Sequence, residues 1–297
     1  MENKEFYLEH DGIKLHCKLD FPPESAGAGP ADAGSAGNAS AGAGPADAGS
    51  AGSAGNASAT DGSATTAAEG RLPLVILVHG FTGHMEEPHL VGLTQAMTAR
   101  GYAVLRVELY GHGGSGGSFH DHSIWKWVSE VNYVVRWAGE LDFVKELYLI
   151  GHSAGGLTAM ISGAMMEDRL KAMVLLAPAL NCCEDISRGT LLWCTFDPEH
   201  LPDELDFGNG NILGDEFLRT VRLLPVEQAM ASFTKPVLVV HADTDARVPL
   251  ECGSLIAEKY QNGTLAVIYG GDHDFNIQLD EMIEAVLEFL DRQEGRK

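Results

Sequence analysis

The stretch that decides the fold runs from Leu147 to Gly156 and reads LYLIGHSAGG. An apolar run typical of a buried strand leads into the spacing G-x-S-x-G around Ser153, and the small, unbranched residues after it favour a helix. Side chains two positions before and after the serine would clash in so tight a strand-to-helix turn, so glycine fits there and the hydroxyl stands clear of the sheet. Ser153 is therefore predicted to be a nucleophile rather than part of a plain strand-loop-helix junction.

The same spacing occurs a second time around Ser115, in GGSGG at residues 113–117. It also follows a strand-like run, but the residues after it, SFHDH at 118–122, do not begin a helix. A helix must begin directly after a nucleophile on such a turn, because the first N–H groups of the helix stabilise developing negative charge. Ser115 is rejected for this reason.

A serine hydroxyl reacts only when a base removes its proton and an acceptor orients that base. His273 follows the last strand-like run in the glycine-rich GGDHDF and is the predicted base. Two acidic candidates follow the preceding strand in HADTDARVP, and we prefer Asp245, which precedes Ala-Arg-Val-Pro, to Asp243. Asp272 and Asp274 beside the base are expected to be surface charges.

The other histidines receive structural predictions only. His79 and His152 lie beside tight turns and are expected to brace the backbone. No catalytic role is assigned to the histidines of polar loops, which are His84, His112, His120 and His122.

Two backbone N–H groups are needed to stabilise the anion of a tetrahedral intermediate. One is the amide of Ala154, directly after the nucleophile. The other is predicted to be the amide of Phe81, in the loop VHGFTG at residues 78–83 after the first central strand.

Apolar runs and helical patterns alternate along most of the chain. Predicted strands are Glu5–Glu9, Lys14–Asp20, Leu74–Val78, Ala103–Glu108, Glu146–Ile150, Ala172–Leu176, Val237–Val240 and Leu265–Tyr269. Predicted helices begin near Leu90, Trp125, Ala154 and Leu250, and a last one spans about Gln278 to Arg292. Continuous Val/Ile/Leu strands are typical of a parallel sheet covered on both faces, so we expect a hairpin followed by a doubly wound sheet.

Two segments interrupt this alternation. Residues 24–70 are almost entirely Ala, Gly, Ser, Asn, Asp, Pro and Thr with an internal repeat, and are expected to be a disordered insertion within a single domain of residues 1–297. The Asn-Ala-Ser sequons at Asn38 and Asn56 are expected to result from the repeat rather than to be glycosylation sites. Residues 177–235 carry no clear strand, and a segment of this length is either a lid or a disordered loop. Their aromatic, Pro and Leu content favours an ordered lid. We expect this lid to cover the carboxyl ends of the strands.

The net charge of −22 opposes binding to nucleic acid or to an anionic membrane surface. The amino terminus MENKEF has no apolar signal region, so a soluble, cytoplasmic chain is expected. Its five cysteines lack C-x-x-C spacing, which indicates neither a disulfide framework nor a zinc site. No metal or organic cofactor is expected, the partner is a small-molecule ester, and the choice between monomer and homodimer stays open.

Four motifs together resemble the α/β-hydrolase superfamily: LVHGFTGH at 77–84, GHSAGG at 151–156, the Asp-x-x-Val-Pro segment ending at Pro249, and GGDHDF at 270–275. The order Ser, acid, His is the one that superfamily uses. The HGFTG spelling, with FDPEHLPDEL at 196–205, LGDEFLRTVRLLPVEQ at 213–228 and FTKPV at 233–237, is similar to bacterial cinnamoyl or feruloyl esterases. The resemblance covers everything except the insertion.

This resemblance implies an α/β-hydrolase fold: a mostly parallel, doubly wound sheet with helices on both faces, an N-terminal hairpin and a small lid inserted after the sixth strand. It implies a triad of Ser153, Asp245 and His273, with Phe81 and Ala154 as oxyanion donors. It further implies a lid that grips a phenolic ring, with Asp185 in register with a lid aspartate that binds the phenol hydroxyl.

Departures from the family concern substrate choice. Where similar esterases carry a lid tyrosine and a glutamine that reach the phenol, this chain has Phe217 and Leu192, and Ala154 stands where a glutamine is common. A site with fewer hydrogen-bonding groups discriminates less between a hydroxylated ring and a plain acyl group. We expect an esterase for hydroxycinnamate or related aromatic and short acyl esters, with weak selectivity for the phenol.

Two alternatives accompany this expectation. The same machinery would serve a thioesterase, a monoacylglycerol lipase or a small peptidase, because fold and triad fix acyl transfer but not the leaving group. A non-catalytic binding protein could also keep the fold, but the intact set of predicted catalytic groups argues against it.

Overall fold

The structure is a computed structural model that describes residues 3–23, 70–208 and 210–296. The repeat, the sequons at Asn38 and Asn56 and all but the last residue of the predicted insertion lie outside the described residues.

The strands of the described residues are numbered in chain order. They are β1 (Asn3–His10), β2 (Ile13–Asp20), β3 (Leu72–Val78), β4 (Ala103–Val107), β5 (Val144–His152), β6 (Ala172–Leu176), β7 (Thr190–Leu191), β8 (Cys194–Thr195), β9 (Glu204–Asp206), β10 (Ile212–Gly214), β11 (Val237–Ala242) and β12 (Gly263–Ile268). Within the described chain, eight of them form one sheet in the order β1-β2-β4-β3-β5-β6-β11-β12, and the short strands pair as β7 with β8 and β9 with β10.

The large sheet is antiparallel at one edge and parallel elsewhere. β1 and β2 form a hairpin through Asp11 and Gly12, whose positive φ values of 51° and 78° suit the tight turn of a right-twisted hairpin. β2 runs antiparallel to β4, whereas the pairs from β4 through β12 are all parallel. The predicted hairpin and parallel sheet are therefore confirmed.

Helices cover both faces of this sheet. They are α1 (Pro88–Ala99), α2 (Ile124–Gly139), α3 (Ala154–Met165), α4 (Asn181–Ser187), α5 (Asp215–Val221), α6 (Val226–Ser232), α7 (Leu250–Lys259) and α8 (Leu279–Gln293). α1 and α8 pack together on one face, while α2, α3, α6 and α7 lie on the other. Successive strand side chains alternate between the two cores, which explains why the strands read as continuous apolar runs.

Two strands were predicted to end one residue too late. Tyr269 lies beyond β12 and is exposed, and Glu108 lies beyond β4. The Glu108 side chain is buried, and its carboxylate is compensated by a hydrogen bond from the amide of Gly114 and a bond to His16 Nδ1.

The segment from 177 to 235 is folded. Short helices and two small strand pairs fill it, so the disordered alternative does not hold for the part that the structure describes. Its action as a lid stays a prediction.

Candidate active site

Ser153 lies at the turn between β5 and α3 with φ 55° and ψ −118°, a region that non-glycine residues rarely adopt. A Cβ added at Gly151 would lie 2.2 Å from the Gly155 carbonyl oxygen, and one at Gly155 would lie 2.2 Å from the His79 carbonyl oxygen. Only glycine fits at these two positions, because any Cβ atom would clash with a neighbouring backbone carbonyl. The Ser153 amide donates to the Leu176 carbonyl at 2.9 Å, which ties the turn to β6.

A chain of hydrogen bonds joins the three predicted catalytic side chains. His273 Nε2 lies 3.0 Å from Ser153 Oγ, and His273 Nδ1 lies 2.7 Å from Asp245 Oδ2. Burial alone would raise the pKa of Asp245, but the hydrogen bond from His273 and the amides of Arg247 and Val248 hold this pKa below its usual value. An ionised Asp245 keeps the proton of His273 on Nδ1 and leaves the Nε2 lone pair for Ser153.

The geometry also separates the two acidic candidates. Asp243 Oδ1 accepts a hydrogen bond from the Gly270 amide at 2.6 Å and so holds the loop after β12. Asp245, whose side chain is fully buried, is the carboxylate bonded to the imidazole.

The two predicted oxyanion donors lie in the wall of the same pocket as Ser153. Within the described residues, neither the Phe81 amide nor the Ala154 amide donates to a protein acceptor. Both N–H groups therefore remain free to bind a ligand.

His79 and His152 brace the backbone as predicted. His79 Nδ1 donates to the Gly80 carbonyl at 2.8 Å, and His79 Nε2 accepts from the Leu109 amide at 3.0 Å. Burial lowers the pKa of His79 to about 3, so it is neutral and can do both. His152 Nε2 bonds to the carbonyl of His273 at 3.0 Å and supports the predicted base directly.

Two histidines assigned to polar loops are instead buried. His112 accepts a hydrogen bond from the Thr82 amide at 3.2 Å and bonds to the Tyr110 carbonyl at 3.0 Å, so it supports the loop that carries Phe81. His122 bonds to the carbonyl of Phe119. Burial lowers the pKa of His112 to about 4 and that of His122 to about 3. The sequence did not indicate this burial, because the packing that buries these rings is tertiary and leaves no local pattern.

Ser115 has a structural role. Its Oγ donates to the Glu108 carbonyl at 2.6 Å and accepts from the His16 amide at 2.8 Å, which ties this loop to the hairpin. No helix follows it directly. A 3-10 turn begins four residues later, at Phe119.

The acidic neighbours of His273 are half-buried rather than free surface charges. Asp272 accepts a hydrogen bond from the Asn276 amide at 2.7 Å, and Asp274 lies 3.2 Å from Arg247 Nη1 in an ion pair. Arg247 itself lines the pocket. Sequence reasoning missed this arginine, although its place in the Ala-Arg-Val-Pro segment was visible.

A pocket of about 330 Å³ opens above Ser153 and His273. The three predicted substrate-binding residues, Asp185, Leu192 and Phe217, all line it. Phe217 is buried against the Phe81 ring at 5.5 Å between centroids, and Asp185 accepts from Asn181 Nδ2 at 2.8 Å. The remaining lining residues, none predicted for this pocket, are Thr82, Ala179, Asn181, Cys182, Leu191, Trp193, Ala246, Arg247 and Val248.

Comparisons with known proteins agree with this geometry. A family model described as serine aminopeptidase, S33, matches residues 71–203. The solved structure of Est1E from Butyrivibrio proteoclasticus with ferulic acid bound has 35% identity and a TM-score of 0.81, and the match covers 98% of this chain and 100% of Est1E. This chain belongs to the α/β-hydrolase superfamily. Its predicted sheet, flanking helices and N-terminal hairpin and its resemblance to serine esterases are confirmed.

Relatives of lower identity also match this α/β-hydrolase. Monoacylglycerol lipase of Mycolicibacterium smegmatis is 25% identical over 63% of this chain and 75% of its own length. Human protein ABHD12B is 24% identical over 74% of this chain, which spans 61% of the human protein. Among the described residues, no helix has the length and apolarity needed to cross a membrane.

Two groups of side chains could hold a metal ion in the part of this hydrolase that the structure describes. One is Glu87, His89 and His152, and the other is His152, His273 and Asp274.

Proposed function

We propose that this serine hydrolase cleaves carboxylic esters through an acyl intermediate on Ser153, and that it acts on hydroxycinnamate or related aromatic and short-chain acyl esters. The observation that carries the proposal is the hydrogen-bonded chain from Ser153 through His273 to Asp245 at the floor of a largely aromatic and aliphatic pocket.

Each group has a defined part in the reaction. His273 Nε2 takes the hydroxyl proton as Ser153 Oγ attacks the ester carbonyl, and the amides of Phe81 and Ala154 stabilise the oxyanion. The imidazolium then gives its proton to the leaving alcohol, and water reverses the sequence to release the acid. Asp245 holds the required tautomer and stabilises the imidazolium. These steps use the chain's own residues and water.

The pocket walls support an aromatic acyl group. Phe81, Leu192 and Phe217 offer apolar contact, and Asp185 offers a carboxylate that can accept a hydrogen bond from a phenol. Leu192 and Phe217 offer no further partner for that hydroxyl, so discrimination between ferulate and cinnamate should be small. The similarity to Est1E, which was solved with ferulic acid, supports the same acyl class.

A second candidate is hydrolysis of monoacylglycerols, favoured by the relative from Mycolicibacterium smegmatis. The exposed apolar residues Leu192 and Trp193 at the pocket could contact an acyl chain as well as a ring. Thioester and peptide substrates share the same chemistry.

The test is the value of kcat/KM for methyl ferulate, methyl cinnamate, p-nitrophenyl butyrate and a monoacylglycerol. We expect the kcat/KM values of the two aromatic esters to lie within about tenfold of each other, since the phenol hydroxyl has only Asp185 as a proposed partner. Both values should exceed those of the other two esters. Asp185→Asn should lower the ferulate-to-cinnamate ratio, whereas Glu184→Gln, on an exposed neighbour, should not. Indifference to aromatic acyl groups would reject the cinnamoyl assignment and leave the esterase intact.

A further inference from the structure

We propose that Glu87, His89 and His152 form a buried binding site for a transition-metal dication of the Zn²⁺ type, directly behind His273. This site is separate from the ester-hydrolysis chemistry and would act on the support of His273.

The three side chains come from rigid elements. Glu87 precedes the first residue of α1, His89 lies in the first turn of that helix, and His152 ends β5. Their ligand atoms all lie within 4.8 Å of one another, and the two imidazole centroids are 4.3 Å apart. Ligand atoms of a tetrahedral zinc ion lie about 3.4 Å apart, so small side-chain rotations would complete the set.

The polar atoms that face this cluster are unsatisfied. In the described residues, both ring nitrogens of His89, Nδ1 of His152 and Oε2 of Glu87 are buried without a hydrogen-bond partner. His89 is 1% exposed and His152 is 2% exposed, so water outside the protein does not reach these rings. Buried polar groups without partners destabilise a fold, and native proteins rarely keep several together. A shared metal ion would bind one nitrogen of His89, Nδ1 of His152 and Oε2 of Glu87, and the second nitrogen of His89 would keep its proton.

The hydrogen bonding of His152 is that of a metal ligand. Its Nε2 bonds to the His273 carbonyl, which can only accept, so the proton lies on Nε2 and Nδ1 carries the free lone pair. A histidine that binds a metal through one nitrogen typically donates its other N–H to a carbonyl or carboxylate. Burial lowers the pKa of His89 to about 4, and the pKa of His152 is also lowered by burial, so both rings are neutral and able to coordinate.

Charge favours a cation over water at this position. Burial and the nearby Asp274 raise the pKa of Glu87 to about 7, and the charge of Arg247 and a hydrogen bond from the His84 backbone offset only part of this rise. A dication would compensate the half-buried carboxylate directly. Two imidazoles and one carboxylate suit Zn²⁺ and similar ions better than Mg²⁺ or Ca²⁺, which prefer oxygen ligands.

The overlapping group of His152, His273 and Asp274 is less suited. His273 Nδ1 is engaged by Asp245, and Asp274 is paired with Arg247. An ion there would also occupy the base and stop hydrolysis. An ion at Glu87, His89 and His152 would instead hold His152 and, through its N–H, the backbone of His273.

The experiment titrates chelator-treated, full-length protein with Zn²⁺ against a metal-binding dye, with Tm and hydrolysis of p-nitrophenyl butyrate measured in parallel. We expect one ion per chain, a rise in Tm of about 5 °C at 100-fold excess over Kd, and retained hydrolysis. Glu87→Gln and His89→Phe should each weaken zinc binding by more than about 100-fold. Loss of a residue that only supports a metal ligand costs up to about 100-fold, and loss of a ligand itself should cost more.

The control is His120→Gln, because His120 is an exposed histidine between Asp121 and Glu204 that could collect zinc on the surface. It should leave the Kd unchanged. The proposal is overturned if no zinc binds, if Glu87→Gln binds as tightly as wild type, if His120→Gln removes the binding, or if hydrolysis falls in proportion to occupancy. Should His89→Phe not fold, the isosteric Glu87→Gln variant still decides the outcome.

Discussion

The carboxyl edge of the sheet and the inserted segment at 177–235 both line one pocket, and they are built differently. At the sheet edge, Ser153, His273 and Asp245 are joined by hydrogen bonds, and the Asp245 side chain is fully buried. In the inserted segment, Leu192 is 43% exposed and Trp193 is 67% exposed. We propose that the constrained network carries the chemistry and that the exposed Leu192 and Trp193 contact the acyl group, whereas Phe217 of the same segment is buried.

The largest expected effect tests the constrained side. Ser153→Ala should lower kcat for p-nitrophenyl butyrate by at least about 10⁴-fold, because the other members of the network act through the serine. The matched control is Ser115→Ala, which removes the serine of the other G-x-S-x-G copy. It should keep kcat while losing about 1 kcal/mol of stability with its hydrogen bonds to Glu108 and His16. Equal losses in the two variants would contradict the assignment.

The next effect separates the two acids. Asp245→Asn should lower kcat by about 10³- to 10⁴-fold, since the amide no longer enforces the tautomer of His273. Asp243→Asn should keep kcat near the wild-type value, because an amide oxygen can still accept from the Gly270 amide. Steady-state kinetics with Tm as a folding check measures both. A larger loss for Asp243→Asn would reverse the roles.

Acid sensitivity should also differ between the two regions. Burial lowers the pKa of His112 to about 4 in the folded chain. The unfolded chain therefore binds a proton near pH 6.5, whereas the folded chain binds it only near pH 4. Stability is therefore full above pH 6.5 and is lost as the pH falls toward 4. Between pH 7 and pH 5, urea unfolding of wild type should lose about 2 kcal/mol that His112→Gln does not lose. His200→Gln, on an exposed ring of the inserted segment, should follow wild type.

The smallest effect tests the unconstrained side. Trp193→Ala should lower kcat/KM for methyl cinnamate by about tenfold through lost ring contact and leave p-nitrophenyl butyrate nearly unchanged. Its Tm should stay at the wild-type value, because the side chain is mostly exposed. Leu223→Ala, at an exposed position of the same segment outside the pocket lining, is the control. A loss shared by both esters would show that Trp193 supports the network itself.

The sequence predicted the side of the pocket where local pattern and chemistry coincide. Ser153, Asp245 and His273 each follow an apolar strand, and parallel strands bring their carboxyl ends to one edge, so their meeting could be expected. The choice between Asp243 and Asp245 could only be a preference, because two residues of spacing do not reveal which carboxylate the Gly270 amide binds.

The remaining features depend on tertiary packing. His112 and His122 are buried by rings from distant segments, and nothing in their polar neighbourhood indicates this. Trp193 lines the pocket because of the path that the inserted segment takes. Arg247 also lines the pocket and forms an ion pair with Asp274. Leu192 and Phe217 were placed by resemblance to a family rather than by periodicity.

The most direct test of the central claim is reaction of the folded, full-length protein with a fluorophosphonate, followed by intact-mass and peptide mass spectrometry. The hydrogen-bonded chain from Ser153 to Asp245 predicts one adduct per chain, located on Ser153, with parallel loss of ester hydrolysis. Folded protein that remains unlabelled at Ser153, or that carries the adduct on Ser115, would contradict it.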